Sequence, residues 1–309
     1  MDTALHYIVL LLMVCLMAQG QRISETKCSE YRKLTTSTGS IIRLDLISKP
    51  TTFESFKCNK TVDLILGGEK TKPHEFPHQA LLGWALDNNT KRYEFRCGGS
   101  LISEEYVLTA AHCTKHRKPV IVRLGEHDLQ NDDDDVVDIG ISLIERHPQY
   151  NVSSLYHDIA LIKLQEPAGF SAIIRPACLW TGLAENVTSV IATGFGLTKI
   201  AEKQSEVLRR VKLDFLHKRE CAAEYKNLRG FKRGMIDEQM CVGSKTGGKD
   251  TCEGDSGGPI QVITETNGCT YHILGITSKG PRECGIGRSP SLYTRVASYI
   301  DWIEGIVWK

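Results

Sequence analysis

The 309-residue sequence lacks three features, each of which would indicate a different class of protein. It has no excess of one charge, with 38 Lys and Arg against 37 Asp and Glu, so it lacks the basic field typical of nucleic-acid-binding proteins. Its longest apolar run, residues 4–18, is short for a helix that spans a bilayer, and no later segment approaches the necessary length. No internal repeat of fixed period is visible, which argues against a repeat architecture. With 41% hydrophobic residues, the composition is that of a globular protein with a sizeable core.

The N-terminus is typical of a secretory signal peptide. The apolar run is followed by Ala18-Gln-Gly20, with small residues where a signal peptidase cuts, although Lys and Arg are absent before the run. A signal anchor is the alternative interpretation. Cleavage after Gly20 would remove Cys15 and leave ten of the 11 cysteines, a content that indicates an oxidising compartment. We therefore expect residues 1–20 to be removed and the protein to be secreted.

Four N-glycosylation sequons agree with an extracellular location. Their use requires surface exposure, which their polar surroundings allow. The acceptors are Asn59, Asn88, Asn151 and Asn186.

Residues 21–64 contain too few apolar residues to form a core of their own. The stretch Ser40–Ile47 is compatible with one strand or a short helix, and the only cysteines are Cys28 and Cys58. We interpret this region as a pro-segment.

From residue 79 onward, many short apolar stretches alternate with turn residues, and glycine is frequent. This pattern predicts an all-β barrel or sandwich. Two exceptions are a short helix over Lys218–Tyr225 and a C-terminal amphipathic helix. The apolar residues at helical spacing in the latter are Val296, Tyr299, Ile300, Ile303 and Val307.

Three stretches carry side chains suited to nucleophilic catalysis. They are Thr109-Ala-Ala-His-Cys113, His157-Asp-Ile-Ala-Leu161 and Asp250-Thr-Cys-Glu-Gly-Asp-Ser-Gly-Gly-Pro259. Taken singly, each has an ordinary structural interpretation: a core histidine, an acid at a strand start and a glycine turn. A serine nucleophile, however, needs a base that is itself oriented by a third group, and the three stretches together offer all three.

His112, Asp158 and Ser256, in that order and in these motifs, resemble the chymotrypsin family of serine proteases. The resemblance covers residues 65–309 and implies two six-stranded antiparallel β-barrels with an active site between them. It implies that Ser256 attacks the scissile carbonyl, that His112 is the general base and that Asp158 orients the imidazole. The backbone N–H groups of Gly254 and Ser256 would bind the oxyanion.

The same resemblance implies a zymogen. Cleavage after Leu64 would free the amine of Ile65, whose charge would pair with Asp255 and order the oxyanion loop. Because Leu64 is neither Arg nor Lys, we expect no self-activation and an upstream protease that prefers Leu.

Specificity is also implied in part. Asp250 lies six residues before Ser256, where trypsin-like members place the carboxylate that selects Arg or Lys in the substrate. Ser278 and Gly280 match one wall of the pocket, and Ser291 stands where the other wall normally has glycine. Lys279 replaces the aromatic residue that usually contacts substrate residues further upstream.

The family comparison implies four disulfides. Cys28 and Cys269 are left over, and they either pair with each other, link to a partner chain or stay free. The implied pairs are Cys97–Cys113, Cys221–Cys241, Cys252–Cys284 and Cys58–Cys178, the last keeping the pro-segment attached after activation.

The acidic loop that contains Glu126 and Asp132–Asp135 corresponds to a loop where trypsin-like members can hold Ca²⁺. A solvated acidic surface loop is the alternative. No other cofactor is expected to be required.

The tethered pro-segment, the activation at Leu and the ending Tyr-Ile-Asp-Trp-Ile-Glu resemble the snake- and persephone-like group of arthropod clip-type cascade proteases. The six-cysteine clip domain is absent. The resemblance implies an Arg- or Lys-specific endopeptidase in an extracellular immune or developmental cascade, with a downstream zymogen or pro-protein as substrate and a serpin-type inhibitor. The alternatives are a catalytically silent homologue that acts as a binding cofactor and, against the tethered pro-segment and the glycosylation, a digestive trypsin.

Overall fold

The computed structural model describes most of the chain after the expected signal peptide, with the strands at 36–41 and 51–56 described by backbone alone. The predicted signal peptide and the junction of Leu64 and Ile65 lie outside the described residues. The described ranges are 21–33, 36–41, 51–56, 68–86, 92–131, 135–182, 184, 186–197, 204–247, 251, 254–264, 270–280 and 290–309.

The first half of the domain is a closed six-stranded antiparallel barrel. Its strands are β4 (Gln79–Ala85), β5 (Tyr93–Leu101), β6 (Tyr106–Thr109), β7 (Ile121–Leu124), β8 (Val137–Arg146) and β9 (Ala160–Leu164). Around the barrel they pair in the order β4-β5-β6-β9-β8-β7. They are rich in apolar residues that point inward, and β4 is buried along almost its whole length.

The second half is another six-stranded barrel. Its strands are β11 (Ser189–Gly194), β12 (Arg209–Phe215), β13 (Gln239–Gly243), β14 (Pro259–Thr264), β15 (Thr270–Lys279) and β16 (Ser291–Arg295). The barrel closes where β15 pairs with β16. Two short strands, β3 (Glu69–Lys70) and β10 (Cys178–Leu179), pair with β12 and β15, respectively. The two-barrel architecture predicted from the resemblance is confirmed.

The barrels are joined by a buried polar chain as well as by apolar packing. The Nε2 atom of His78 lies 2.5 Å from Oε1 of Gln261, whose Nε2 donates to the hydroxyl of Thr193 at 3.0 Å. That hydroxyl donates in turn to Oε1 of Gln79 at 2.7 Å. Burial lowers the pKa of His78 to about 4, so this imidazole is neutral at physiological pH.

Among the described residues, three α-helices accompany the barrels, and two of them are the predicted ones. The helix α2 (Lys218–Tyr225) begins with a capping box formed by His217 and Glu220. The C-terminal α3 (Ile300–Val307) follows a 3₁₀ turn and buries Ile300 and Ile303, as its apolar periodicity predicts. No helix among the described residues is long and apolar enough to cross a membrane.

The helix α1 (Ile23–Lys33) was not predicted, and it docks on the C-terminal helix. The backbone N–H and the hydroxyl of Ser24 both donate to Oε1 of Glu304, at 3.1 and 2.6 Å. Arg22 pairs with Asp301 at 2.6 Å, and Tyr31 is buried against Phe170. Residues 22–31 therefore pack against the folded body. The remaining strands, β1 (Thr36–Ile41) and β2 (Thr51–Phe56), form a separate two-stranded sheet.

The partner of Cys178 is Cys28, so the expected Cys58–Cys178 pairing is wrong. The docked α1 carries Cys28 to β10, where the two Cα atoms are 5.0 Å apart, a normal separation for a disulfide. This also resolves the alternatives left open for Cys28. Cys58 and Cys269 lie outside the described residues.

We predict that the Cys28–Cys178 disulfide tethers the N-terminal segment once the chain is cut after Leu64. In the Cys58→Ser variant, Cys28 is the one cysteine left in residues 21–64, and the two chains should stay linked on a denaturing gel without reductant after cleavage by a protease that accepts Leu. The matched control Cys28→Ser/Cys58→Ser should release a small N-terminal chain under the same conditions. Release from Cys58→Ser alone would contradict this tether.

Candidate active site

The segments that carry the candidate catalytic residues come from both barrels and adjoin where the barrels face each other. His112 lies in a 3₁₀ turn (Ala111–Thr114) that follows β6, and Asp158 precedes β9. Ser256 precedes β14 of the second barrel. Its carbonyl oxygen accepts a hydrogen bond from the N–H of Gly98 at 2.8 Å, and this contact holds the serine loop against β5 of the first barrel.

His112 is bound to Asp158 through two contacts. Its backbone N–H donates to Oδ1 of Asp158 at 2.8 Å, and its Nδ1 lies 2.7 Å from Oδ2. The imidazole is 23% exposed and the carboxylate 4%, so the ring separates a buried charge from solvent. With Nδ1 protonated toward the carboxylate, Nε2 is left as the basic nitrogen of the ring.

Asp158 receives a third donor that the sequence pattern did not assign to it. The hydroxyl of Ser278 donates to Oδ2 at 2.6 Å, and Thr294 donates to the backbone carbonyl of Asp158 at 2.9 Å. Burial by itself would raise the pKa of Asp158. The charge of His112 and the hydrogen bonds from His112 and Ser278 outweigh it, so the pKa of this carboxyl lies below its usual value. The carboxylate is therefore ionised at neutral pH.

The loop around Ser256 needs glycine at two positions. Gly254 has a φ of 100° and Gly257 a φ of 77°, both in the region that favours glycine. A Cβ on Gly257 would lie 2.3 Å from the hydroxyl of Thr109, the first residue of the histidine motif. The absence of a side chain at Gly257 thus lets the serine and histidine motifs approach each other.

Asp255, next to the serine, points into a cage of backbone on the far side of the loop. Its Oδ1 accepts from the N–H of Gly196 at 2.8 Å. A Cβ on Gly194 would lie 2.0 Å from Oδ1, and one on Gly196 would lie 2.5 Å from Cγ. The proposed partner, the amine of Ile65, is outside the described residues.

The walls of the expected specificity pocket are described, but its floor, Asp250, is not. Thr251 is buried, and its hydroxyl lies 2.7 Å from that of Tyr293. A Cβ on Gly280 would contact the carbonyl of Thr251 at 3.4 Å, so these two segments adjoin. Ser291 is fully buried in β16. The structure thus brings Thr251 and Gly280 together.

His157 was missed as a positioning residue. It adopts a φ of 53°, which is uncommon outside glycine, and its Nδ1 lies 3.0 Å from the hydroxyl of Tyr299. Its ring stacks on that of His147, with the centroids 5.4 Å apart. This turn lies immediately before Asp158, whose carboxylate contacts His112. No local signal identified it, because the residue types that usually adopt such a φ are glycine and asparagine.

The described part of the expected calcium loop does not form a cation site. The Oε1 atom of Glu126 accepts from the backbone N–H groups of His127 and Asp128 at 2.9 and 3.0 Å. Its Oε2 accepts from Arg123 at 3.3 Å. A carboxylate with this many N–H donors and an adjacent guanidinium does not fit a Ca²⁺ ligand. Asp132–Asp134 lie outside the described residues.

The remaining predicted sites are placed as follows. The disulfides Cys97–Cys113 and Cys221–Cys241 are present, and the former joins β5 to the histidine turn. Asn151 and Asn186 are exposed, as glycosylation requires. Four further positions, Asn59, Asn88, Cys252 and Cys284, lie outside the described residues.

Two closed six-stranded barrels, with a His–Asp pair whose carboxylate is buried and a glycine-bounded serine loop between them, define the chymotrypsin-like class of serine proteases. The family model described as Trypsin matches residues 65–303. The chain belongs to this family.

Individual relatives agree with this assignment and with the resemblance to insect cascade proteases. The serine protease snk of Drosophila melanogaster is 42% identical over 94% of this chain and 66% of its own length. Phenoloxidase-activating factor 3 of Holotrichia diomphalia is 37% identical over 78% of this chain and 71% of its own. The chain thus spans slightly less than two thirds of snk.

Among solved structures, the chain is similar to neuropsin, a serine protease expressed in the limbic system of mouse brain. The TM-score is 0.64 with 32% sequence identity, and the match covers 77% of this chain and 97% of neuropsin. The similarity extends over nearly the whole of a complete protease domain.

Proposed function

We propose that this chain is the secreted zymogen of a trypsin-like endopeptidase, in which residues 1–20 are a signal peptide and 21–64 a pro-segment. The enzyme becomes active on cleavage after Leu64 and hydrolyses peptide bonds after Arg or Lys. The observation that carries the proposal is the contact between the buried, ionised Asp158 and Nδ1 of His112 at 2.7 Å. A charge is buried in this way only when its partners stabilise it, and here the partner is a group that can accept a proton at neutral pH.

The chemistry follows from these positions. Ser256 attacks the scissile carbonyl, and Nε2 of His112 accepts the serine proton and later donates it to the leaving amine. Asp158 holds the tautomer with hydrogen on Nδ1 and stabilises the imidazolium that forms. The N–H groups of Gly254 and Ser256 stabilise the oxyanion.

The backbone cage around Asp255 supports activation by a new N-terminus. Its carboxylate is held by Gly196, and the Cβ-free walls at Gly194 and Gly196 leave the two carboxylate oxygens close to the backbone. The ammonium of Ile65 would complete this site with a charge of the opposite sign, and the loop that contains Gly254 and Ser256 would then be ordered.

One relative, phenoloxidase-activating factor 3, is named for the activation of phenoloxidase, which supports a protein substrate for this chain as well. We place the chain in an extracellular proteolytic cascade, with a Leu-preferring activator upstream, a zymogen or pro-protein downstream and a serpin-type inhibitor.

The test is to cut the purified zymogen after Leu64 and to assay short Arg, Lys and Phe reporter substrates. We expect hydrolysis of the Arg and Lys substrates only after the cut, and loss of all turnover in Ser256→Ala with an unchanged unfolding temperature. A preference for Phe would refute the role of Asp250. No hydrolysis at all would favour the silent homologue, for which the buried Ser291 in the pocket wall is the supporting observation.

A further inference from the structure

A groove of about 550 Å³ lies between the loop that leads to Asp158 and the loop that follows α2. The two loops are joined by backbone contacts: Leu155 N–H donates to the carbonyl of Gly230 at 3.0 Å, and Tyr156 hydroxyl donates to that of Gly234 at 3.1 Å. We call it the upstream groove. The residues that line it are Asn151, Ser153, Ser154, Tyr156, Arg229, Gly230 and Lys232.

The charge of the upstream groove is positive. Arg229 and Lys232 are exposed, and no carboxylate is among the lining residues. Within the part of the chain that the structure describes, neither of them forms an ion pair; the nearby pair in this region joins Lys218 to Asp237 at 2.5 Å. Arg233 adds a further cation, 4.2 Å above the ring of Tyr156.

Lys279 is a further exposed cation that is connected to both Asp158 and the groove. It directly follows Ser278, whose hydroxyl donates to Asp158. The hydroxyl of Tyr225 donates to the carbonyl of Lys279 at 3.1 Å and joins it to the end of α2, four residues before Arg229. Lys279 stands where the family resemblance implies a contact with substrate residues that precede the scissile bond.

We propose that this face selects substrates that carry Asp or Glu residues upstream of the scissile Arg or Lys. The inference rests on the proposed protease function and deepens it. An exposed ion pair contributes only modestly, but several pairs act together and their attraction is screened by salt. We expect kcat/KM for an acidic peptide to exceed that for its neutral counterpart roughly tenfold at low salt, and this preference to shrink as ionic strength rises.

The experiment uses the cut enzyme and a pair of quenched peptides that share the scissile Arg and all downstream residues. One peptide has Asp and Glu at the third to sixth positions before the cut, and the other has Asn and Gln there. The double variant Arg229→Gln/Lys232→Gln and the single variant Lys279→Gln should each lose most of the preference. The matched control Lys212→Gln/Lys309→Gln, which removes two exposed cations elsewhere, should keep it.

A short reporter with Arg but no upstream residues separates the possible failures. If the wild type does not cleave this reporter, the proposed function itself fails. If it cleaves the reporter but treats the acidic and neutral peptides alike, the upstream preference is refuted and the protease function stands. Equal peptide rates together with weaker heparin binding of the variants would assign the face to a sulfated polysaccharide instead. Because Asn151 borders the groove, a preference seen only after enzymatic deglycosylation would also refute the proposal.

Discussion

Changing Asp158 to asparagine should lower kcat of the cut enzyme by about ten-thousand-fold, the loss known for this change in the chymotrypsin-type triad. The two oxygens of Asp158 accept from the N–H of His112, from its Nδ1 and from Ser278. Asparagine has one acceptor oxygen, so its NH₂ group must face one of these donors. The imidazole then adopts the other tautomer, and Nε2 no longer accepts the serine proton.

Ser278→Ala is the matched control, because it removes one donor and keeps the charge. We expect a loss of about tenfold, in line with one hydrogen bond to a charged group. Steady-state kinetics on a short Arg substrate gives both values, and thermal unfolding checks that each variant is folded. If Asp158→Asn lost no more than Ser278→Ala, the His112–Asp158 contact would not serve catalysis.

Gly196→Ala is expected to reduce activity by about a hundredfold or more without unfolding the protein. The added Cβ would lie 2.5 Å from Cγ and Oδ2 of Asp255, so the carboxylate must leave its cage. The amine of Ile65 would then have no partner, and the loss of one member of a buried ion pair costs about 3 kcal/mol or more. In the cut variant, the oxyanion loop would then mostly adopt the conformation of the zymogen.

The control for this change is Gly169→Ala, where no heavy atom lies within 4 Å of the added Cβ. Both variants are cut to completion after Leu64, checked on a gel and assayed with the same reporter. Asp255→Asn, which keeps the shape and removes the charge, gives an independent measure if Gly196→Ala does not fold. Full activity in either of the two cage variants would contradict the activation mechanism.

The alternation of short apolar stretches with turn residues predicted an all-β barrel or sandwich. The division into two six-stranded barrels, and the segments that meet between them, followed from the family resemblance of the motifs around His112, Asp158 and Ser256. The C-terminal helix was also predicted, because Ile300 and Ile303 are buried at the spacing of a helical turn.

The N-terminal helix α1 could not be predicted from apolar periodicity, for a physical reason. Only Ser24 and Tyr31 are buried in it, so it has no apolar stripe that a periodicity could reveal. It is held by residues about 280 positions away, such as Glu304, and by the disulfide to Cys178. Because these contacts are tertiary, the partner of Cys28 was not predictable from spacing.

The contact between Ser278 and Asp158 is also a tertiary contact that spacing does not predict. The two residues are 120 positions apart, and a hydroxyl in an apolar strand gives no sign of its partner. The left-handed turn at His157 is stabilised by Tyr299, which lies 142 positions further on. The contact between His112 and Asp158 was thus predictable, whereas the contacts of Asp158 with Ser278 and of His157 with Tyr299 were not.

The Cys28–Cys178 disulfide closes a covalent ring with a sequence separation of 150, and the bond between Leu64 and Ile65 lies within that ring. In the uncut chain, the ring restricts the conformations of the unfolded state and so favours folding. The proposed cleavage opens the ring, and the same disulfide becomes a link between two chains, which restricts the unfolded state far less. Activation thus cuts the backbone link between α1 and the barrels and keeps the Cys28–Cys178 disulfide, so the enzyme depends more on its native contacts. The insertion of Ile65 beside Asp255 would add such a contact at the same step. The cleavage that opens the ring would therefore also add a native interaction, which offsets part of the stability lost with the ring.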